Sequence, residues 1–401
     1  MTYQAEIPYG AYWSTPFARW QGSLAHLHSM ELAAHVAKSE IAKRKIDVKD
    51  IDYAVLGLTV LQYKSFYGLP WITSAIGASH VGGPLISQVC ATSARCLADA
   101  LQEVDTGSAS LALVVTADRT SNGPQVYYPN PLGPGGAGIH ENVVLDNMND
   151  DPTIHIAMVD TAENVAREWQ ITTEEQHDVA LRRYEQYNDA LANDSAFLKR
   201  FMILPFEVPD AKFRKTVATL NGDEGVHQTS REKLATLKPV RDGGTVTFGG
   251  QTHPADGNCA MFVTTAEKAR ELSADPKIRI RVLGIGMARE RPGYMPAAPI
   301  YAARQALERA ALDMDDIDAI KSHNPFAVND IVFARETGVD VMKMNNYGCS
   351  LVWGHPQGPT GMRAMIELIE ELVMRGGGKG LFKGCAAGDT GMAVVLSVEE
   401  A

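Results

Sequence analysis

Apolar positions along the chain follow two alternating periods. Residues Met30–Arg44 repeat apolar side chains every three or four positions, which predicts an amphipathic helix, and Tyr53–Val60 is an apolar run of strand length. The same order returns late in the chain, as a helix over Ala302–Ala311 and a strand over Ala319–Ser322. Between helix and strand stands the same acidic turn, IDVKDID at 46–52 and LDMDDID at 312–318. Seven residues can recur by chance, but the spacing downstream argues for a duplication. Cys90 lies 40 residues beyond Asp50, and His355 lies 39 beyond Asp316. Each precedes a helical stretch, Thr92–Val104 and Gly361–Met374, and each half then closes on another strand, Ser110–Thr116 and Met392–Val398. Two copies of an alternating strand and helix unit bring equivalent helix starts toward one seam, where a thiol and an imidazole would face each other.

The pattern breaks over residues 119–249. Pro- and Gly-rich sequence (Asn122–Gly138) leads into helical runs at Thr161–Trp169 and Thr173–Ala192, which reads as a subdomain inserted over the strand ends. The expected division is an N-terminal half (1–118 with 245–270), the insertion (119–244) and a C-terminal half (271–401). A length of 401 residues is ample for this, and 45% hydrophobic with 21% charged residues is ordinary globular composition. The net charge of −11 argues against a general nucleic-acid binder, which needs basic faces to neutralise phosphates. No hydrophobic signal segment opens the sequence, and no apolar run approaches the roughly 20 residues that span a bilayer. Five cysteines, an odd set without zinc-ribbon spacing, fit reduced thiols and a cytoplasmic protein, with no metal.

Four segments carry candidate chemistry. In SQVCATSARCL (87–97), Cys90 sits where a strand turns into a helix; a helix N-terminus lowers a thiol's pKa, and small neighbours admit a substrate. A buried structural cysteine is the competing reading for Cys90, and Cys96 is expected in the core. In NNYGCSLVWGHPQGPTGMR (345–363), His355 lies among glycines, placed to take a proton from a thiol and return it. KGCAAGDTGMAVVL (383–396) puts Cys385 before a narrow turn whose backbone N–H groups can face an oxyanion. SHNPFAVND (322–330) ends a strand on His323 and Asn324.

Together these segments resemble the thiolase family over nearly the whole chain. STPFARWQGSL (14–24), MVDTAENVA (158–166) and EKLATLKP followed by GGTVTFGGQTHPADG (232–257) extend the likeness in the right order. The resemblance implies an α/β protein with a duplicated five-layered αβαβα core and an inserted loop domain. It implies a coenzyme A-dependent acyltransferase that reversibly cleaves or condenses a β-ketoacyl-CoA. Cys90 would carry the acyl group, His355 would activate it, and Cys385 would be the second acid/base. One oxyanion hole would use His355 and His323, the other the backbone N–H groups of Cys90 and Ala387. Met158, Thr252, Asn324 and Phe326 would contact substrate or CoA. Coenzyme A would be co-substrate rather than a bound cofactor, and the assembly a homodimer or dimer of dimers, with room for an accessory subunit.

The sequence departs from the usual pattern around the acyl site. Ala157-Met158-Val159 replaces a His-Met-Gly tripeptide, Gly348-Cys349 a Gly-Gly pair, and Val226 stands at or near the place of a nucleotide-contacting Arg. These changes imply a substrate bulkier than acetoacetyl-CoA: aromatic, branched or carboxylated. Asp389 is expected to raise the Cys385 pKa by like-charge repulsion. A non-catalytic acyl-CoA-binding or scaffold subunit is the alternative, disfavoured by the presence of Cys90, His323, His355 and Cys385 together. A decarboxylating ketosynthase would carry a second histidine where Cys385 stands.

Overall fold

A computed structural model describes residues 3–400. Its centre is an 11-stranded sheet: β1 Glu6–Pro8, β2 Tyr12–Ser14, β3 Ala18–Arg19, β4 Tyr53–Gly57, β5 Leu85–Ile86, β6 Leu111–Arg119, β7 Ala255–Thr264, β8 Ile278–Arg289, β9 Ala319–His323, β10 Gly378–Ala386 and β11 Thr390–Glu400. The order is β9-β10-β11-β8-β1-β7-β6-β4-β5, with β2 and β3 on β7. Short β1 pairs with both β7 and β8 and so joins the two halves. In the first half β5, β4 and β6 run parallel, in the second β9 and β10, and the next strand of each is antiparallel, β7 or β11.

The helices set the layers. α1 (Ser29–Lys43) and α2 (Leu69–Ile76) cover the outer face of the first half, and α6 (Ala298–Ala310) and α7 (Ala327–Thr337) that of the second. α3 (Thr92–Asp105) and α8 (Gly358–Met374) lie together between the halves, each touching strands of both. The result is the five-layered αβαβα order expected. Strand β6 shows why it holds: Leu111, Leu113 and Val115 point into the outer core while Ala112 and Val114 point to the central helices, so both faces are buried. Both copies of the acidic turn fall where the repeat places them, as single turns at Val48–Asp50 and Met314–Asp316 between helix and strand.

One element of the repeat is corrected. The strand that returns after α8, equivalent to β6, is β10, and residues 392–398 belong to β11, the counterpart of β7. The sequence GKGLFKGCA reads as glycine-rich and charged, so its strand is hidden. Lys383 is fully buried there and paired with Asp330 at 2.9 Å, and Lys321 on β9 is likewise buried against Glu367 at 2.9 Å. A lysine paired in this way can occupy a core strand without leaving an unneutralised charge.

Between Arg119 and Ala255 the chain leaves the sheet. Helices α4 (Met158–Glu168) and α5 (Thr173–Ser195, irregular over Ala192–Asp194) pack on the outer core of the second half. Buried ion pairs pin this segment down: Arg183 to Asp330 at 3.1 Å, and Asp223 to Arg363 of α8 at 2.6 Å.

Candidate active site

The turn before α3 is built around Val89, whose φ of 47° is unusual for a β-branched residue and marks local strain. Thr92 holds the turn: its hydroxyl accepts from the Gln88 N–H at 2.8 Å and donates to the Val89 carbonyl at 2.7 Å. Cys90 is thereby thrust toward the seam. Opposite it, the His355 N–H donates to the His253 carbonyl at 2.8 Å, clamping the loop that opens α8. Gly354 before it has φ 94°, and a Cβ there would lie 2.8 Å from the His253 ring, so the close approach requires glycine.

Cys90 Sγ and His355 Nε2 are 3.1 Å apart, and His355 Nδ1 lies 2.6 Å from the Thr360 hydroxyl. With Nδ1–H donating to Thr360, Nε2 is left to accept the thiol proton. His323, at the end of β9, stacks on His355 with ring centroids 4.1 Å apart, and its Nδ1 sits 3.0 Å from the Ser350 hydroxyl. Its Nε2 is buried without a partner. The Ser350 hydroxyl has one hydrogen and two acceptors in reach, His323 Nδ1 and the Asn324 side-chain oxygen at 3.1 Å; given to Nδ1, it leaves a hydrogen on Nε2 aimed into the site. The sulfur and the nitrogens of Cys90, His323 and His355 lie within 4.8 Å of one another, a set of atoms able to ligate a soft cation. The two rings stack 23° from parallel.

Electrostatics correct one expectation. Cys90 keeps some accessible surface, but burial of its sulfur pushes the thiol pKa up, as does the nearby Cys385; hydrogen bonds from the Ala387 and Cys90 backbone N–H groups only partly oppose this. The helix N-terminus therefore does not by itself make Cys90 a standing thiolate. Burial, with His253 nearby, also lowers the His355 pKa from 6.5 to about 3. Burial, with His355 and Lys383 nearby, lowers His323 too. The pair rests as thiol and neutral imidazole, and the proton moves when the sulfur attacks. His355 should stay a competent base as pH falls, so Cys90 acylation should be nearly flat between about pH 7 and 5. A pH–rate profile with an acid limb near 6.5 would contradict this.

Cys385 ends β10, fully buried, its thiol pushed up to about 12 by burial and drawn down by Lys383 and by an amide hydrogen bond from Asn329 at 3.2 Å. The expectation for Asp389 is overturned. Its carboxylate turns away to accept from the Gly293 and Tyr294 N–H groups at 3.0 and 2.9 Å, and the acid facing Cys385 is Asp330. Ala387 stands two residues beyond Cys385 in the turn, and its backbone N–H favours the Cys90 thiolate.

Of the other expected contacts, Thr252 lines a cavity of about 390 Å³ with Tyr184, His227, Phe248, His253 and Leu351. Its hydroxyl donates to the Ser350 carbonyl and its N–H to the Pro325 carbonyl. Asn324 is fully buried, its amide nitrogen donating to Asp330 and its oxygen accepting from the Leu351 N–H, so it braces the His323 loop. Phe326 is buried at the start of α7 in the outer core cluster that contains Cys385, half-buried Met158 and Val159 pack against that cluster, and Ala157 is buried just before them. Val226 packs at the edge of the central core. Sequence reasoning missed Thr360, Ser350 and Asn329, polar residues inside quoted motifs that only the fold aims at the reactive atoms. It also missed Asp118, which accepts from the Gly358, Thr59 and Val60 N–H groups and ties the start of α8 to β6; burial raises its pKa to about 7.

Comparison with known proteins agrees with this geometry. The family model for the thiolase N-terminal domain matches residues 11–267, and that for the thiolase C-terminal domain matches 276–398. The chain is 30% identical to an acetyl-CoA acetyltransferase of Paracoccus denitrificans, covering 95% of this chain and 96% of that one. It is 28% identical to the beta-ketothiolase BktB of Cupriavidus necator with the same coverage. Human mitochondrial 3-ketoacyl-CoA thiolase superposes with a TM-score of 0.89 at 25% identity, over 100% of this chain and 99% of that one. The structure of that enzyme in complex with CoA gives 0.88 at 25% identity, over 99% of each chain.

Proposed function

The chain belongs to the thiolase family and is an acyltransferase, and from that premise we propose that it cleaves or forms β-ketoacyl-CoA with Cys90 as the acyl carrier. The observation that carries this is the 3.1 Å contact of Cys90 Sγ with a neutral, Thr360-held His355, with Cys385 close enough for its charge to be felt at Cys90. His355 takes the Cys90 proton as the sulfur attacks the keto carbonyl. The resulting Nε2–H and that of His323 then hold the oxyanion. The carbon–carbon bond breaks, and Cys385 protonates the departing α-carbon. The Cys90 and Ala387 N–H groups would face the second thioester oxygen. As the CoA sulfur attacks the Cys90 thioester, its proton goes to the Cys385 thiolate and His355 returns its own to Cys90. The reverse sequence is a Claisen condensation. Coenzyme A enters as co-substrate along the cavity lined by Thr252 and Phe248, under the inserted segment 119–244. Thiolysis followed by loss of β-ketoacyl-CoA should require CoA and release two acyl-CoA products; turnover without CoA would overturn the reading.

The preferred substrate is bulkier than acetoacetyl-CoA. Support comes from Val159, an apolar side chain that packs with Met158 against the cluster containing Cys385, and from the small, buried Ala157 that precedes them in the chain. An enlarged apolar site discriminates by only ~1–3 kcal/mol per methylene-sized mismatch. Acetoacetyl-CoA should therefore be cleaved measurably, with kcat/KM below that for an aromatic or long-chain β-ketoacyl-CoA. If it proves the best of the three, this pocket reading fails while the family assignment stands.

Assembly into a dimer, or a dimer of dimers, is supported by the sheet edge at β5 and by exposed Leu61, Tyr63 and Phe66 around it, Phe66 being 95% exposed. Light scattering should give at least twice the chain mass, and a stable monomer at micromolar concentration would contradict this. Five unpaired cysteines support a reducing, cytoplasmic setting, and among the described residues no helix is long and apolar enough to cross a membrane.

A further inference from the structure

Strand β10 carries Lys383 and Cys385 on one face, both fully buried. Opposite them α7 presents Asn329 and Asp330, also fully buried. The Asn329 amide nitrogen donates to Cys385 Sγ at 3.2 Å, and its oxygen accepts from the Phe326 N–H at 3.2 Å. That second bond fixes the amide's orientation, so the NH2 and not the oxygen faces sulfur. Lys383 grips the same residue from its backbone, donating to the Asn329 carbonyl at 3.2 Å and to Asp330 at 2.9 Å. Arg183 from the insertion donates to the other oxygen of Asp330 at 3.1 and 3.2 Å. Two cations share one carboxylate, leaving a surplus positive charge in the core.

A thiol is a weak acceptor, so a buried, oriented amide aimed at it gains little until the sulfur ionises. The groups facing Cys385 are Asn329, Lys383, Asp330 and Cys90; the first two favour its thiolate, while Asp330 and the Cys90 sulfur oppose it when charged. We propose that Asn329 is a further catalytic residue of the carbon–carbon step, donating its amide hydrogen to the Cys385 sulfur whenever that sulfur is a thiolate, with Lys383 as the positioning residue that holds it. The inference rests on Cys385 being the second acid/base. In condensation the Cys385 thiolate takes a proton from the α-carbon of the acyl-CoA. An S–H bond forms, and the C–H electron pair becomes the enolate. In cleavage the S–H bond breaks, the proton goes to the α-carbon released from the keto group, and the charge returns to sulfur, where Asn329 meets it. No other reactant is needed.

The test uses the full chain with acetyl-CoA in deuterated water, reading deuterium in the acetyl methyl group and, in the same samples, acetylation of Cys90 by intact mass. Asn329→Leu should slow exchange about 10- to 100-fold, the effect of one hydrogen bond to a charged group, with Cys90 acetylation within about twofold of wild type. Lys383→Met should move the pH midpoint of exchange upward. Should Asn329→Leu fail to fold, Asn329→Asp keeps the size, removes the donor and should show the same selective loss. Normal exchange in the Asn329 variant, with exchange lost in Cys385→Ala, overturns the proposal and leaves the role of Cys385 intact. Exchange that persists in Cys385→Ala overturns that role instead. An equal fall in exchange and acetylation also overturns the proposal, because it would mark only a loosened site.

Discussion

Cys90→Ser should lower thiolysis by at least about a thousandfold while leaving the fold and CoA binding in place. The size of the effect follows from the chemistry of the step. An alkoxide is far harder to form than a thiolate, so an imidazole that can take the Cys90 proton gains much less from a hydroxyl at the same place. An oxygen ester would also hand its acyl group to CoA less readily than a thioester. The fold should tolerate the change, because the turn that presents residue 90 is held by Thr92 and not by the sulfur. Steady-state thiolysis with circular dichroism as control is the check. A variant keeping more than a few per cent of wild-type turnover would place the nucleophile elsewhere.

Cys385→Ala should separate two half-reactions that wild type performs together. Acylation of Cys90 by an acyl-CoA needs His355, 3.1 Å from the sulfur, and no proton at the α-carbon, so it should proceed within a few-fold of normal. Carbon–carbon cleavage and condensation need that proton and should fall by about 10²–10⁴, the usual contribution of a positioned acid/base. Cys385 is a neutral thiol while Cys90 is acylated, so its loss removes no charge from that step. Single-turnover acylation measured beside steady-state condensation distinguishes the outcomes. Parallel loss of both would mean that Cys385 supports the site as a whole.

The division of the chain into two like halves was legible because the acidic turn keeps its place between an amphipathic helix and a strand, and because Cys90 and His355 stand at matched offsets from it. Small and glycine neighbours made those two residues and Cys385 stand out, since close approach at a turn leaves a mark in sequence. The charged interior left none. Lys321 and Lys383 read as surface residues, and only the fold supplies Glu367 and Asp330 as partners. For the same reason β10 was assigned to the wrong segment. The thiolate expected at Cys90 failed because a helix N-terminus is visible in sequence whereas the burial that outweighs it is not. Asp389 and Asn324 lie next to reactive residues in the chain but point elsewhere, and Asn329, five residues beyond Asn324, is the amide that reaches the sulfur.

The central claim is a thioester on one named sulfur. Incubating the chain with an acyl-CoA in the absence of a second acyl-CoA and digesting under mildly acidic conditions should yield the Cys90 peptide carrying the acyl mass. That mass should be discharged by free CoA and absent in His355→Ala. An acyl group on Cys385 or another cysteine, or none on Cys90 with any β-ketoacyl-CoA or acyl-CoA that the protein turns over, would contradict the account.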